Sequence, residues 1–242
     1  MSVLLLRLAG PLQAWGSTSR FARRSTENAP TKSGVLGLLA AAQGRPRDAD
    51  LSDLGALWFG VRVDQPGTRL RDFHTAHHAE SDKAMPLSER FYLADAVFVA
   101  GVEGEPALVD ALDEAVRRPA FLPYLGRRSC PPAQPVDLGV RAGVDLVQAL
   151  EREAWHASAW HQRRAQATAR GGAVPLDLLL ECAPGEEPEF TLRDAPISFD
   201  PRHRRYGLRG LTSRTVEAPM PSPSPAGPRP PAHDPVELLR RI

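Results

Sequence analysis

Apolar residues fall along this chain in two rhythms, and a few long stretches follow neither. Residues 2–9, SVLLLRLA, form an apolar run interrupted only by Arg7 and ended by Gly10-Pro11, the pattern of a strand buried on both faces. Residues 57–63, LWFGVRV, read as a second strand and residues 91–102, FYLADAVFVAGV, as a third, because both are rich in aromatic and β-branched side chains. Between the first two lies 28–44, NAPTKSGVLGLLAAAQG, with the signals of a helix at each end. Pro30 presets a helical φ, Thr31 and Ser33 can cap, and Gly44 follows the last periodic position. The apolar content of Val35, Leu36, Leu38, Leu39 and the alanines after them predicts a helix largely buried. Residues 105–118, EPALVDALDEAVRR, space their apolar positions as an amphipathic helix, with acids early and Arg117-Arg118 at the end to complement the helix dipole. A short strand is expected at 136–140.

The order strand, helix, strand, strand, helix, strand predicts an α+β fold of the ferredoxin-like (RRM-like) βαββαβ plan. Residues 68–90, TRLRDFHTAHHAESDKAMPLSER, show no period, and a loop that long between strands implies a protruding arm. Residues 143–171 read as one helical segment that docks on the first domain, and 176–182 and 189–199 as further strands. The predicted organisation is a first domain at 1–142 with an arm at about 66–90, a small α/β region at 143–218, and a tail at 219–242. That tail holds 8 of the chain's 24 prolines within 219–235 and is expected to be extended.

Composition narrows the function classes. The chain has 242 residues, 30 basic and 29 acidic, and a formal net charge of +1, which excludes an all-over polycation. Only Lys32 and Lys83 are lysine, so 28 of the basic residues are arginine, a bias that GC-rich coding explains for the most part. Clustering is the better signal. Two cysteines, Cys130 and Cys182, make neither a disulfide framework nor a zinc set, so a cytoplasmic setting is expected. The apolar run at 3–6 is too short for a membrane span, and no membrane partner is expected.

The candidate chemistry is anion binding. The start of the 28–44 helix offers free N–H groups, the Lys32 ammonium and the hydroxyls of Thr31 and Ser33, which suit a phosphate. Just before it, 17–24 adds Arg20, Arg23 and Arg24 with no acid. Lys32-Ser33 looks like the end of a nucleotide-binding P-loop, but the preceding residues lack the required glycines, so nucleoside triphosphate binding is excluded. The arm carries Arg69, Arg71, His74, His77, His78, Lys83 and Arg90. Its histidines fall in no metal-ligand spacing, so no metal or other cofactor is expected. Tyr124, Gly126, Arg127 and Arg128 form a basic turn, and residues 201–216 contain five arginines, Arg202, Arg204, Arg205, Arg209 and Arg214, and no acid. The stacking signature of an RNA-recognition strand is missing from 91–102, so binding by loops and arm is favoured over binding across the open sheet. Trp15, in a loop, reads from its setting as a packing anchor.

Five blocks, LRLAGPLQAWG at 6–16, PTKSGVLGLLAA at 30–41, LRDFHT at 70–75, RFYLADAVFVA at 90–100 and PYLGRRSCPP at 123–132, together resemble the CasD family. That family supplies the subunit that binds the 5′ handle of the CRISPR RNA in the type I-E surveillance complex, Cascade. The resemblance covers roughly the first 130 residues and fades beyond residue 140. It implies a ferredoxin-like domain with a thumb-like arm, and as partners the CRISPR RNA 5′ handle, the CasC backbone subunits and the CasA large subunit, with target DNA as a further candidate contact. The handle-contact candidates are Gln13, Trp15, Arg20, Lys32, Ser33, Arg71, His74, Arg90, Tyr124, Arg127 and Arg128. The leading expectation is a non-catalytic RNA-binding scaffold. The alternative is a metal-independent endoribonuclease, as in related type I-C systems, using His74, His77, Lys83 and Tyr92 around one phosphate. A third reading is a protein-interaction module unrelated to RNA.

Overall fold

The computed structural model describes residues 1–17, 23–183, 185–200, 202 and 204–219. In chain order its elements are β1 (Ser2–Ala9), β2 (Leu12–Gln13), β3 (Arg23–Arg24), α1 (Lys32–Ala42), α2 (Ser52–Gly55), β4 (Trp58–Gln65), β5 (Thr68–His74), β6 (Ser88–Ala94), β7 (Val97–Gly104), α3 (Pro106–Arg117), β8 (Asp137–Ala142), α4 (Leu146–Arg152), α5 (Ala159–Ala169), β9 (Pro175–Glu181), β10 (Phe190–Ser198) and β11 (Arg205–Glu217). Arg20 and the greater part of the Pro-rich tail lie outside the described residues.

The reason β1 is apolar throughout is its central place in a seven-stranded sheet of order β10-β11-β9-β4-β7-β1-β8, in which every neighbouring pair is antiparallel. Side chains alternate across a strand, so both covered faces demand apolar residues. Leu4, Leu6 and Leu8 join the main core with α1, α3 and Phe98, whereas Val3 and Leu5 join a second core beneath Leu146 and Leu150 of α4. The result is a mixed α+β architecture built on antiparallel sheets. The last third of the chain adds β9, β11 and β10 to the free edge of β4.

Helix α1 starts where its signals put it: Thr31 caps it by accepting from the Gly34 N–H, and Gly44 follows with φ +75°. For α3 the cap is Glu105, which accepts from the Leu108 N–H. Four expectations differ from the structure. The strand read at 91–102 is two, because the chain turns at Asp95, which has φ +54°, and β6 leaves for a second sheet while β7 stays in the first. The arm at 68–90 is a β-hairpin of β5 and β6, extended by a bridge between His77 and Ala84. Much of β5 is exposed, so it carries no apolar alternation to read.

The segment 143–171 is two helices, not one. Tertiary hydrogen bonds interrupt it: the fully buried Arg62 donates to the carbonyls of Leu150, Glu153 and Ala154 and pairs with the fully buried Asp64. Asp64 in turn accepts from the Trp155 indole through its carbonyl and from the His156 N–H through its carboxylate. These contacts pull 153–158 out of helical geometry and leave α5 without a buried residue. The 13-residue β11 occupies what the sequence presents as a basic stretch, since its inward Arg209 stands where an apolar residue would have signalled a strand.

Candidate nucleic-acid interface

The second sheet is centred on β6. One of its edges pairs with β5, and the other pairs with β2 near Leu93 and Ala94 and with β3 at Glu89 and Arg90. Register assigns its two faces. On one, Arg24 stands beside Arg90 and Asp72 opposite Arg90, with Leu70 opposite Tyr92. On the other lie Arg23, Arg69, Arg71, Phe73, Glu89 and Phe91. There the Arg23 guanidinium sits 5.3 Å from the Phe91 ring centroid and that of Arg71 4.6 Å from Phe73, whose side chain is half exposed. Planar cations over aromatic rings make a surface on which a base can stack.

The basic turn at 123–130 closes against this sheet. Gly126 has φ +81°, and a Cβ there would lie 1.8 Å from the Ala14 carbonyl oxygen, so the close approach admits only glycine. Arg127 donates to the carbonyls of Phe91, Arg24 and Ser25 while its guanidinium lies 4.7 Å from the Tyr92 ring. It is a staple between turn and sheet. Arg128, next in the chain, is exposed and forms no hydrogen bond or ion pair with the described residues. Tyr124 is half-buried. The Nε of Arg90 is buried with no hydrogen-bond partner. Arg71 pairs with Glu89 at 2.6 Å, and His74 with Asp72 at 2.6 Å, both at the surface.

Four expected contacts are buried instead. Gln13 is fully enclosed, donating to the Leu8 and Ala96 carbonyls and accepting from the Trp15 indole. Trp15 is equally enclosed and packs on α1, where a Cβ at Gly34 would come within 2.8 Å of its ring. It is the packing anchor that its loop setting suggested, not a free stacking surface. Lys32 and Ser33 are buried too.

The anion foreseen at the α1 N-terminus is there, but it belongs to the protein. The Lys32 N–H donates to the Asp194 carboxylate at 2.7 Å, and the Lys32 ammonium pairs with Glu181 at 2.9 Å. Arg209 grips both oxygens of Asp194 from β11 and lies over Phe59. A carboxylate at a helix N-terminus satisfies the same N–H groups and dipole as a phosphate would. Arg209 therefore leaves the basic stretch at 201–216 and serves as an internal partner. No local signal joins Asp194 to Lys32, which is 162 residues away.

Three of the four residues weighed for a nuclease centre are tied to other groups of the protein, and the fourth, Lys83, lies beside His77 at the hairpin tip. His74 is held by Asp72, His77 by Asp82, and Tyr92 is buried beneath Arg127. Burial pushes the Cys130 thiol up, away from a reactive thiolate. Among the described residues no group of three or more His, Cys, Asp or Glu side chains is placed to hold a metal ion, and no helix is long and apolar enough to cross a membrane.

Comparison with known proteins places these features in a family. Residues 3–211 match the family model described as CRISPR-associated protein (Cas_Cas5). The "CRISPR system Cascade subunit CasD" of Escherichia coli (strain K12) is 36% identical over 222 residues, covering 83% of this chain and 91% of that one. Among solved structures, a chain of a "CRISPR RNA-guided surveillance complex" superposes with a TM-score of 0.73 at 34% identity, over 90% of this chain and 91% of that one. A second, described as "Crystal structure of Cas protein", gives 0.67 at 37% identity over 89% and 95%.

Proposed function

The chain belongs to the CRISPR-associated Cas5 family, and from that premise we propose that it is the CRISPR-RNA-binding subunit of a Cascade surveillance complex, holding the 5′ handle without cutting it. In this reading residues 1–142 are the RNA-handling unit and 143–218 an extension along its sheet. The strands β4, β7, β1 and β8 with α1 and α3 form a ferredoxin-like unit, and the β5–β6 hairpin is its thumb. CasC backbone subunits and the CasA large subunit are the proposed neighbours, in the cytoplasm.

The observation that carries the reading is the small sheet around β6, which carries Arg24 and Arg90 on one face and Arg23 and Arg71 on the other, with the turn that holds Arg127 and Arg128 closed against it. Arg24 and Arg90 are neighbours in register and repel one another, and a phosphate shared between them offsets that cost. Splayed bases stack on the Arg23–Phe91 and Arg71–Phe73 pairs of one face, and where the strand passes over the β3 edge its phosphates meet Arg24 and Arg90 of the other face and the exposed Arg128. Lys32, Ser33, Gln13 and Trp15 hold the scaffold that presents these groups. Cutting RNA requires a base, an acid and a cation around one phosphate, and the burial of Tyr92 beneath Arg127, closed to a phosphate, supports the scaffold reading instead.

Incubating the purified chain with its repeat RNA, alone and with backbone subunits, tests this. Retention of intact RNA is expected. Replacing Arg24 and Arg128 together by Glu should weaken binding and flatten its salt dependence, by about 0.7 in the log–log slope for each phosphate that is no longer neutralised. Cleavage of the RNA, or binding untouched by the double variant, overturns the proposal.

A further inference from the structure

Helix α5 belongs to neither sheet, and its arginines lie on its exposed side. Residues 154–176 contain no Asp or Glu but hold Arg163, Arg164 and Arg170 together with Trp155, His156, Trp160 and His161. All three arginines are exposed, and none forms an ion pair with a described residue. That is unlike Arg45, Arg62, Arg71, Arg117, Arg141 and Arg209, each of which has a carboxylate partner. Arg170 caps the helix C-terminus, where the dipole welcomes a cation. Arg163 and Arg164 lie in the middle of the helix and gain nothing from it.

The same solvent face carries Trp160. Positions 159, 160, 163, 164, 167 and 168 are exposed while 161, 162, 165, 166 and 169 are half-buried, so Trp160 precedes the arginine pair by one turn on the open side. Its ring is half exposed yet held in place, edge-on to His161 at 5.5 Å between centroids, and His161 is itself edge-on to the buried Trp155 at 6.3 Å. Gln162 ties the helix start back to the carbonyls of Trp155 and Ala157. A braced indole with one open face, followed by two uncompensated guanidinium groups, is built to stack an unpaired base and neutralise its flanking phosphates. Duplex bases are already stacked on one another, and an acidic peptide supplies carboxylates for the guanidinium groups without an aromatic ring at every residue for the indole.

We infer that the exposed face of α5 is a second nucleic-acid site, taking an unpaired strand across Trp160, Arg163 and Arg164 independently of the sheet around β6. The one acceptor side chain among the exposed positions is Thr168, a turn past the arginines and donating back to the Arg164 carbonyl, so the face reads the strand with little reading of the sugar.

The test uses the full chain and fluorescently labelled dT12, rU12 and a 12-base-pair DNA duplex, titrated over a range of salt. Variants are Trp160→Ala, Trp160→Phe, R163E/R164E and, as the reference for the sheet site, Arg128→Glu. Because α5 buries no residue, these variants should keep the native circular dichroism. A dT12 strand carrying 4-thiothymidine, photocrosslinked in the presence of saturating repeat RNA, should label the peptide containing Trp160. R163E/R164E should abolish that crosslink, weaken dT12 and rU12 alike by about tenfold at low salt, and flatten the salt slope by roughly 1.4. Trp160→Ala should cost about five- to a hundredfold and Trp160→Phe much less. Repeat-RNA binding should respond to Arg128→Glu and not to the α5 variants, so failure of either site is seen separately. Unchanged dT12 binding and crosslinking in R163E/R164E, tighter binding of the duplex, or equal competition by a glutamate polymer with no effect of Trp160→Ala would overturn the inference.

Discussion

Asp194 shows at the residue scale how one carboxylate can decide whether a helix end binds a ligand. It satisfies the α1 N-terminus, and it is fully buried with Arg209 across both oxygens. Replacing it by Ala strands a buried guanidinium and an open helix end. The expected loss is about 3–5 kcal/mol in urea-unfolding free energy, the usual cost of breaking a buried pair from one side. Lys32→Ala should also destabilise, with little direct effect on RNA affinity once corrected for the folded fraction. Gly126 makes the same point through the backbone. An alanine there must both hold φ +81° and avoid the Ala14 carbonyl, so Gly126→Ala should lower the unfolding midpoint and, by displacing Arg127 and Arg128, weaken RNA retention. The glycine and the basic pair were legible as a turn. The buried partners of Lys32 were not, because hydrogen bonding between residues far apart in sequence leaves no local pattern.

At the scale of elements, the junction between α4 and α5 should respond to acid. Burial alone raises the Glu153 carboxyl, but the hydrogen bonds from His156 and Arg141 outweigh it and hold it below its ordinary value of 4.5. A carboxylate depressed in the folded state adds stability that is complete above its unfolded pKa and disappears as pH falls through the folded one. Stability should therefore drop below about pH 4.5, and Glu153→Gln should be less stable at neutral pH and show a shallower acid dependence in urea melts between pH 6 and 3. The helices α1 and α3 were readable because cap and stop signals bound the first, and apolar spacing with charges matched to the dipole marks the second. The hairpin and the α4–α5 break were not. In the hairpin too little is buried to write a period, and at the break Arg62, Asp64 and Trp155 impose hydrogen bonds from outside the segment.

Across the whole molecule, β9, β11 and β10 extend the sheet begun by the first half, and their inward groups complete the N-terminus of α1. Ending the chain at residue 187 removes β10 and β11 and with them Asp194 and Arg209, while baring the edge of β9. The truncated protein should lose its cooperative unfolding transition and aggregate. By itself the sequence determined the α+β class, the helices α1 and α3, the buried first strand and, through five blocks of residues, the family. Those features rest on local chemistry: apolar period, cap, turn glycine and motif. Only the tertiary structure decided which cations remain free for a polyanion, since Lys32, Arg62 and Arg209 are consumed by carboxylates brought from elsewhere in the fold, while Arg128, Arg163 and Arg164 are left exposed without a described carboxylate partner. A charge in a sequence is a potential contact, and its availability is fixed by what the folded chain sets opposite it.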